Sequence, residues 1–409
     1  MTSRYPMSLL ADVCEVFADG DWVESKDQSQ AGIRLIQTGN IGIGAFKGRD
    51  ERARYVSDDT FNRLRCTEIF EGDCLISRLP EPAGRSCIVP ATGERMITAV
   101  DCTIVRFRPR QVLPEFFNYY SQSLDYLKAV DSETTGTTRK RISRSNLGQV
   151  AIPVPPVPEQ QRIFGILDEA FAAIATARAN TEQSVRNARE LFQSQLSAIF
   201  AVGGPRWIDK KLGWITTKIG SGATPRGGEE SYKSQGIPLI RSLNVHDLGF
   251  RYPKLAFLDE AQAHELSNVE VKPRDVLLNI TGASVARCCL VPGDVLPARV
   301  TQHVSIIRPN SGTLDAGFLH YMLISEPYKR RLLRTGMEGG STRQAITKAE
   351  IQELVVSYPA TLEEQETLVA RIEEVLTETQ DLEAIAQRKL AALDALKQSL
   401  LRQAFTGAL

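Results

Sequence analysis

The chain has 409 residues, 42% hydrophobic and 24% charged, with 49 basic side chains balanced by 49 acidic ones. That length supports two or three domains with proper cores, and these proportions, without long polar tracts, exclude wholesale disorder. The opening MTSRYPMSLLADV lacks a secretory signal's basic start and apolar run, and no stretch is apolar for long enough to span a bilayer, so a soluble cytoplasmic protein is expected.

From the N-terminus, IRLIQTGNIGIGAF (33–46) leads to DDTFNRL, which reads as a short helix, and then to CLIS and CTIVRFRP, apolar runs bounded by Gly, Pro and Asp that read as strands. LPEFFNYYSQSLDYL reads as helical, and GTTRKRIS (136–143) precedes an extended stretch, LGQVAIPVPPVPEQQ. From about 166 to 202 apolar residues recur at three- and four-residue steps with no proline or glycine, which predicts a helix of about 40 residues. Gly203-Gly204-Pro205 closes it. The order then begins again. IPLIRSLNVHDLGF (237–250) lies over 33–46 at an offset of 204, RDVLLN (274–279) over GDCLIS (72–77) at 202, and GSTRQAIT (340–347) over GTTRKRIS at 204. VLLNI and VSIIRP read as strands, DAGFLHYMLISEPYKRRLL as helical, and a second uninterrupted helical pattern runs through 360–406. Three ordered matches at nearly constant offset define an internal repeat.

The predicted fold is therefore α/β (α+β), in two tandem copies related by a pseudo-two-fold repeat, separated and followed by long helices. The expected divisions are a first globule over 1–155, a helix over 156–203, a second globule over 204–358 and a final helix over 359–409. Helices this long exceed what a globule of about 150 residues can cover, so an antiparallel coiled coil is expected. Ile163, Leu167, Ile174 and Phe192 on the first helix, and Ile372, Leu382, Leu393 and Leu400 on the second, are its candidate partner-binding positions.

Catalytic motifs are missing. Seven cysteines form no CxxC pair and make no ligand spacing with His246, His264, His303 or His320, so no metal site is expected. There is no Walker-type phosphate loop, and no Asn/Asp-Pro-Pro-Tyr/Phe quartet of the kind that grips a flipped adenine. Charge is distributed unevenly. Residues 205–358 carry 20 Lys and Arg against 15 Asp and Glu, whereas 359–409 carry 5 against 9, so acidic helices mask a basic second globule. In the first globule Thr138, Arg139, Lys140 and Arg141 cluster, and Thr342 and Arg343 occupy the repeat position; such side chains suit phosphate oxygens. Reading bases needs paired donors and acceptors. Gln37 and Asn40, matched by Arg241 and Asn244, end predicted strands, as do Arg78 and Asn279, and these are the candidate base contacts. A solvated turn or a cap is the alternative for each.

In this order the LIQTGNI and PLIRSLN stretches, the GDCLIS and RDVLLN blocks, the Thr-Arg segments, and the VPEQQRIFGILDE and TLEEQETLVARIEE helix entries resemble the specificity subunits of type I restriction–modification enzymes. The resemblance implies two target recognition domains, each reading one half of an interrupted DNA site. It implies helices that dock two methyltransferase subunits, and a restriction/translocase subunit that cleaves unmethylated DNA. No cofactor is expected on this chain; S-adenosylmethionine, ATP and Mg are expected on the partners, and no membrane association is implied. A methylation-only or related defence complex without a nuclease is the alternative, and a coiled-coil scaffold with no DNA role is a further one.

Overall fold

The computed structural model describes residues 4–136, 140–338 and 345–409. They form two compact units, one of residues 1–181 with 387–409 and one of residues 182–386.

In the first unit the strands Cys14–Asp19, Cys102–Phe107, Cys74–Ser77 and Ser86–Ile88 lie side by side in that order, all antiparallel. A second sheet has the order Tyr55–Val56, Ile33–Ile36, Met96–Thr98, Glu68–Ile69, with its two central strands parallel. Alternation along the strands explains how they stack, because successive side chains point to opposite faces. Cys74, Ile76 and Val105 pack with Phe116 and Phe117, whereas Leu75 and Ile104 pack with Ile36 and Met96 of the second sheet. Both faces of the first sheet are thus covered, which is why CLIS is apolar without alternation.

The second unit repeats this plan strand for strand. Thr216–Ser221, Val304–Pro309, Val276–Asn279 and Cys288–Leu290 form one sheet; Ala256–Leu258, Ile237–Ile240, Ala298–Val300 and Glu270–Val271 form the other. Val276 and Leu278 face Phe318 and Leu319, and Leu277 and Ile306 face Ile240 and Val300. A short hairpin, Val245–His246 with Gly249–Phe250, is paired here where the first copy has a single bridge from Ile41 to Phe46.

DDTFNRL is helical over Asp58–Leu64, started by the Ser57 hydroxyl accepting from the Thr60 amide. The two longer helical predictions each divide, into Pro114–Tyr120 with Leu124–Ser132 and Ala316–Ile324 with Glu326–Glu338. Ser123 causes the first break, its hydroxyl capping the Tyr126 amide at 3.3 Å.

The long helices are longer than predicted. Val157–Val202 has 46 residues and Leu362–Thr406 has 45, each about 70 Å at 1.5 Å per residue. The first starts ahead of Pro158, which the opening turn accommodates because its missing N–H would be unpaired there anyway. Within each unit the helical segments run antiparallel. Arg162 donates to the Leu409 carbonyl and Arg178 pairs with Asp394 at 2.9 Å in one unit; Arg189 pairs with Glu383 at 2.6 Å and Arg206 with Glu364 at 3.0 Å in the other.

A pair of equivalent glutamines joins each helix start to its globule. Gln160 accepts from the Leu113 amide at 2.8 Å and donates to the carbonyls of Gln111 and Pro155. Gln365 accepts from the Asp315 amide at 2.8 Å and donates to the carbonyls of Thr313 and Pro359. Both are fully buried, so the glutamine in each proline-then-acid entry is a structural clasp.

Candidate nucleic-acid interface

One rim of each globule gathers the strand ends that sequence reasoning singled out, and backbone hydrogen bonds fix its frame. In the first copy the amide of Asp21 donates to Thr98, Ala99 to Ile36, Gly20 to Cys102, Arg78 to Asp101 and Ile142 to Arg78, all to carbonyls at 2.7–3.1 Å. In the second, Ala223 donates to Val300, Thr301 to Ile240, Gly222 to Val304, Ile280 to His303 and Ile346 to Ile280, at 2.8–3.0 Å. The frames correspond bond for bond. Glycine is required at one point of each, since a Cβ on Gly20 would sit 2.3 Å from the Ala99 carbonyl oxygen, and one on Gly222 1.8 Å from that of Val300. The final bond of each frame ties in the stretch just after the Thr-Arg segment.

Strand-end turns are built alike. The Asn40 side chain accepts from the Gln37 amide at 2.9 Å and donates to the carbonyls of Lys47 and Gly48. Asn244 accepts from the Arg241 amide at 3.0 Å and donates to the Arg251 carbonyl at 2.8 Å. Arg85 adds four more hydrogen bonds, donating to the carbonyls of Ile41, Thr38, Leu79 and Pro82, so two rim loops are held by one guanidinium.

Several sequence-based assignments change accordingly. Asn244 and Asn279 are fully buried, and Asn279 donates to the Ser242 carbonyl and the Ser284 hydroxyl. The amides of Asn40 and Asn244 bond the rim backbone, and the Asn279 amide nitrogen does the same while its oxygen is buried. Arg78 is only 4% exposed; it lies 3.4 Å from Asp19 and 3.7 Å from Asp101 and donates to the Val100 carbonyl. Burial pushes its guanidinium down from the usual value, and the two aspartates partly restore it. Arg241 is held by Glu229 at 3.0 Å and the Lys254 carbonyl, over the Tyr232 ring. Gln37 is half-buried, whereas Lys140 and Arg141 are exposed, Arg141 pairing with Asp101 at 2.7 Å and Lys140 with Asp131 at 3.3 Å. Thr138, Arg139, Thr342 and Arg343 lie outside the described residues.

The helix positions divide too. Ile163 and Leu167 are buried in the first unit's core, Phe192 and Ile372 in the second's, and Leu400 packs against the first. These five cover the chain's own globules, because the helix ends lie on domain cores as ordinary helices do. Ile174 and Leu393 are half-buried, while Leu382 is 53% exposed and has Ile385 one turn on, also exposed.

Sequence reasoning missed other rim residues. Trp22, 69% exposed, stands beside Gly20 in the first copy; Thr224, Gln302 and His303 occupy the corresponding rim in the second. The repeat offset of 202, extended past the matched blocks, aligns Trp22 with Thr224 and Asp101 with His303. Among the described residues no group of His, Cys, Asp and Glu is placed to hold a metal ion, and no helix is long and apolar enough to cross a membrane.

Two α/β globules of one topology, each continued by a long helix that pairs with the other, define a class of duplicated mixed α/β proteins with paired helices. Residues 4–185 match the family described as Type I restriction modification DNA specificity domain. The chain is 25% identical over 318 residues to the type I restriction enzyme EcoBI specificity subunit of Escherichia coli, covering 71% of this chain and 65% of that one. It is 25% identical over 326 residues to the EcoKI specificity subunit of Escherichia coli K12, covering 74% and 67%. The chain thus spans about two thirds of the length of these relatives. A putative specificity subunit from Methanocaldococcus jannaschii, MjaX, is 20% identical over 97% of this chain and 92% of its own. In fold, a chain from a structure of the assembly and conformational transition of the type I R-M system superposes with a TM-score of 0.79 at 20% identity, covering 100% of both chains. The HsdS subunit from Thermoanaerobacter tengcongensis gives 0.57 at 21%, covering 99% and 97%. Residues 4–185 thus match the type I restriction modification DNA specificity domain, and the chain as a whole is similar in sequence and fold to type I specificity subunits.

Proposed function

We propose that this chain reads an interrupted, two-part DNA sequence, one half with each globule, and performs no chemistry of its own. The observation that carries the reading is the rim: one hydrogen-bonded frame built twice, each time tied to Ile142 or Ile346, the residues that follow a Thr-Arg segment in sequence, with different side chains mounted on it. Phosphate contacts supply affinity without sequence information, and a hydroxyl beside basic groups suits them. Lys140 and Arg141, with Thr138-Arg139 and Thr342-Arg343, are assigned that role, and Gln37 that of a base contact. Asn40, Asn244, Asn279, Arg78 and Arg241 position the loops.

On this reading two methyltransferase subunits dock along the helices, Leu382 and Ile385 being exposed apolar positions there, and methylate adenine in each half-site. A restriction/translocase subunit completes the nuclease form. S-adenosylmethionine, ATP and Mg belong to those partners. A methylation complex without a nuclease uses this chain in the same way.

The test is salt-dependent binding of duplex DNA by the chain assembled with its methyltransferase. Lys140→Ala and Arg141→Ala should each lower the slope of log affinity against log salt by about one. No retardation of duplex DNA at about 0.1 M salt, with the partner present, contradicts the proposal.

A further inference from the structure

The rim of the second globule carries a polar chain that no sequence motif announces. Thr224 hydrogen-bonds the Gln302 side chain, whose amide nitrogen lies 3.2 Å from His303 Nε2, and His303 Nδ1 lies 2.6 Å from the Thr281 hydroxyl. Gln302 and His303 are both exposed. Their backbone is nevertheless rigid: the Thr301 amide donates to Ile240, Val304 to Thr301 and Ile280 to the His303 carbonyl. Thr281 is also bridged to Ala345, two residues beyond Arg343 in sequence. Exposed side chains with paired donors and acceptors, set on a rigid frame, are what base reading requires.

The comparison of copies strengthens this. At the aligned positions the first globule has Trp22, Val100 and Asp101, with Asp101 bound to Arg141. Side chains that merely braced the frame would be expected to agree where the frame agrees. These differ completely, as they should if each rim meets a different base.

A neutral imidazole has one donor and one acceptor nitrogen, so the chain of bonds can run in either direction. Reversing it turns the Gln302 amide over and exchanges donor for acceptor at the exposed edge without breaking the frame. Alone, an amide offers a donor and an acceptor side by side, which matches N6 and N7 of adenine in the major groove.

We propose that Gln302, oriented by His303 and Thr224, reads an adenine in the half-site of the second globule. This rests on the DNA-reading function proposed above. The experiment is selection from a pool of duplexes with randomised sequence, using the chain assembled with its methyltransferase, and comparing the parent with Gln302→Leu, Gln302→Glu and His303→Asn. The parent should yield one interrupted motif; if it yields none, the DNA-reading function itself falls. Given that motif, Gln302→Leu should lose roughly tenfold to a hundredfold of its discrimination for adenine at one position of one half, the other half staying as it was. His303→Asn should weaken the same position to a smaller extent. An unchanged motif in folded variants overturns the proposal, as does equal loss of affinity for all sequences, which marks a brace. Should Gln302→Leu fail to fold, Gln302→Glu, with the same shape and a charge, gives the same two readings.

Discussion

Two buried glutamines make the sharpest residue-level statement about stability. Gln160 and Gln365 are fully buried and each satisfies one backbone amide and two carbonyls. Truncation leaves those groups unpaired, at about 1–3 kcal/mol each. Gln160→Ala and Gln365→Ala should therefore lose several kcal/mol in denaturant unfolding, whereas Gln161→Ala, next door and exposed, should change little. Asp73 and Asp275 explain the aspartate shared by GDCLIS and RDVLLN: each is buried and held by two bonds from an arginine, Arg106 or Arg308, at 2.7–2.8 Å. Burial also accounts for the thiols. All seven cysteines are buried, and Cys14, Cys87 and Cys289 are pushed up to about 12 by desolvation. A thiol reagent at neutral pH should label the folded chain far more slowly than the unfolded one; rapid native labelling would contradict this burial. Glu159 is held down at about 2, chiefly by Arg162, with Tyr5 also donating to it. A depressed carboxylate contributes stability above its unfolded value, near 4.3, and loses it as pH falls toward the folded one. The melting-temperature deficit of Glu159→Gln should accordingly narrow as pH drops below about 4.5.

The long helices show how far periodicity can be trusted. Their existence was legible because apolar residues recur at helical steps without proline or glycine from 166 and from 360. What each stripe packs against was not, since core and coiled-coil stripes have the same spacing. Ile163, Leu167, Phe192 and Ile372 proved to be core, as their proximity to the helix ends allows. Leu167→Ala should cost about 2–5 kcal/mol of stability. By contrast Leu382→Glu should leave unfolding nearly unchanged and weaken association with the methyltransferase in a pull-down or by calorimetry. Equal effects on folding and association would contradict the division of the helix faces. If the helices also set the separation of the half-sites, four residues inserted in each, about 6 Å, should alter the preferred spacer, given 3.4 Å per base pair.

For the molecule as a whole, the duplication was the most informative signal, and it was visible in three short matches. It gave the two globules and their common topology. It could not show which polar residues face outward, because a rim asparagine that closes a turn and one that reads a base have the same neighbours in sequence. Asn40 and Asn244, singled out as candidate base contacts, bond the turn backbone instead. Gln302 and His303 escaped notice because neither has its own residue type at the aligned position of the first copy, and variation between otherwise matched copies was the signal that could have found them. DNA reading by this chain is tested most directly by a genome-wide map of adenine methylation in cells with this gene intact and deleted, the methyltransferase being expressed in both. Loss of a single interrupted motif on deletion, with every other methylated motif unchanged, is the predicted result; an identical map would contradict it.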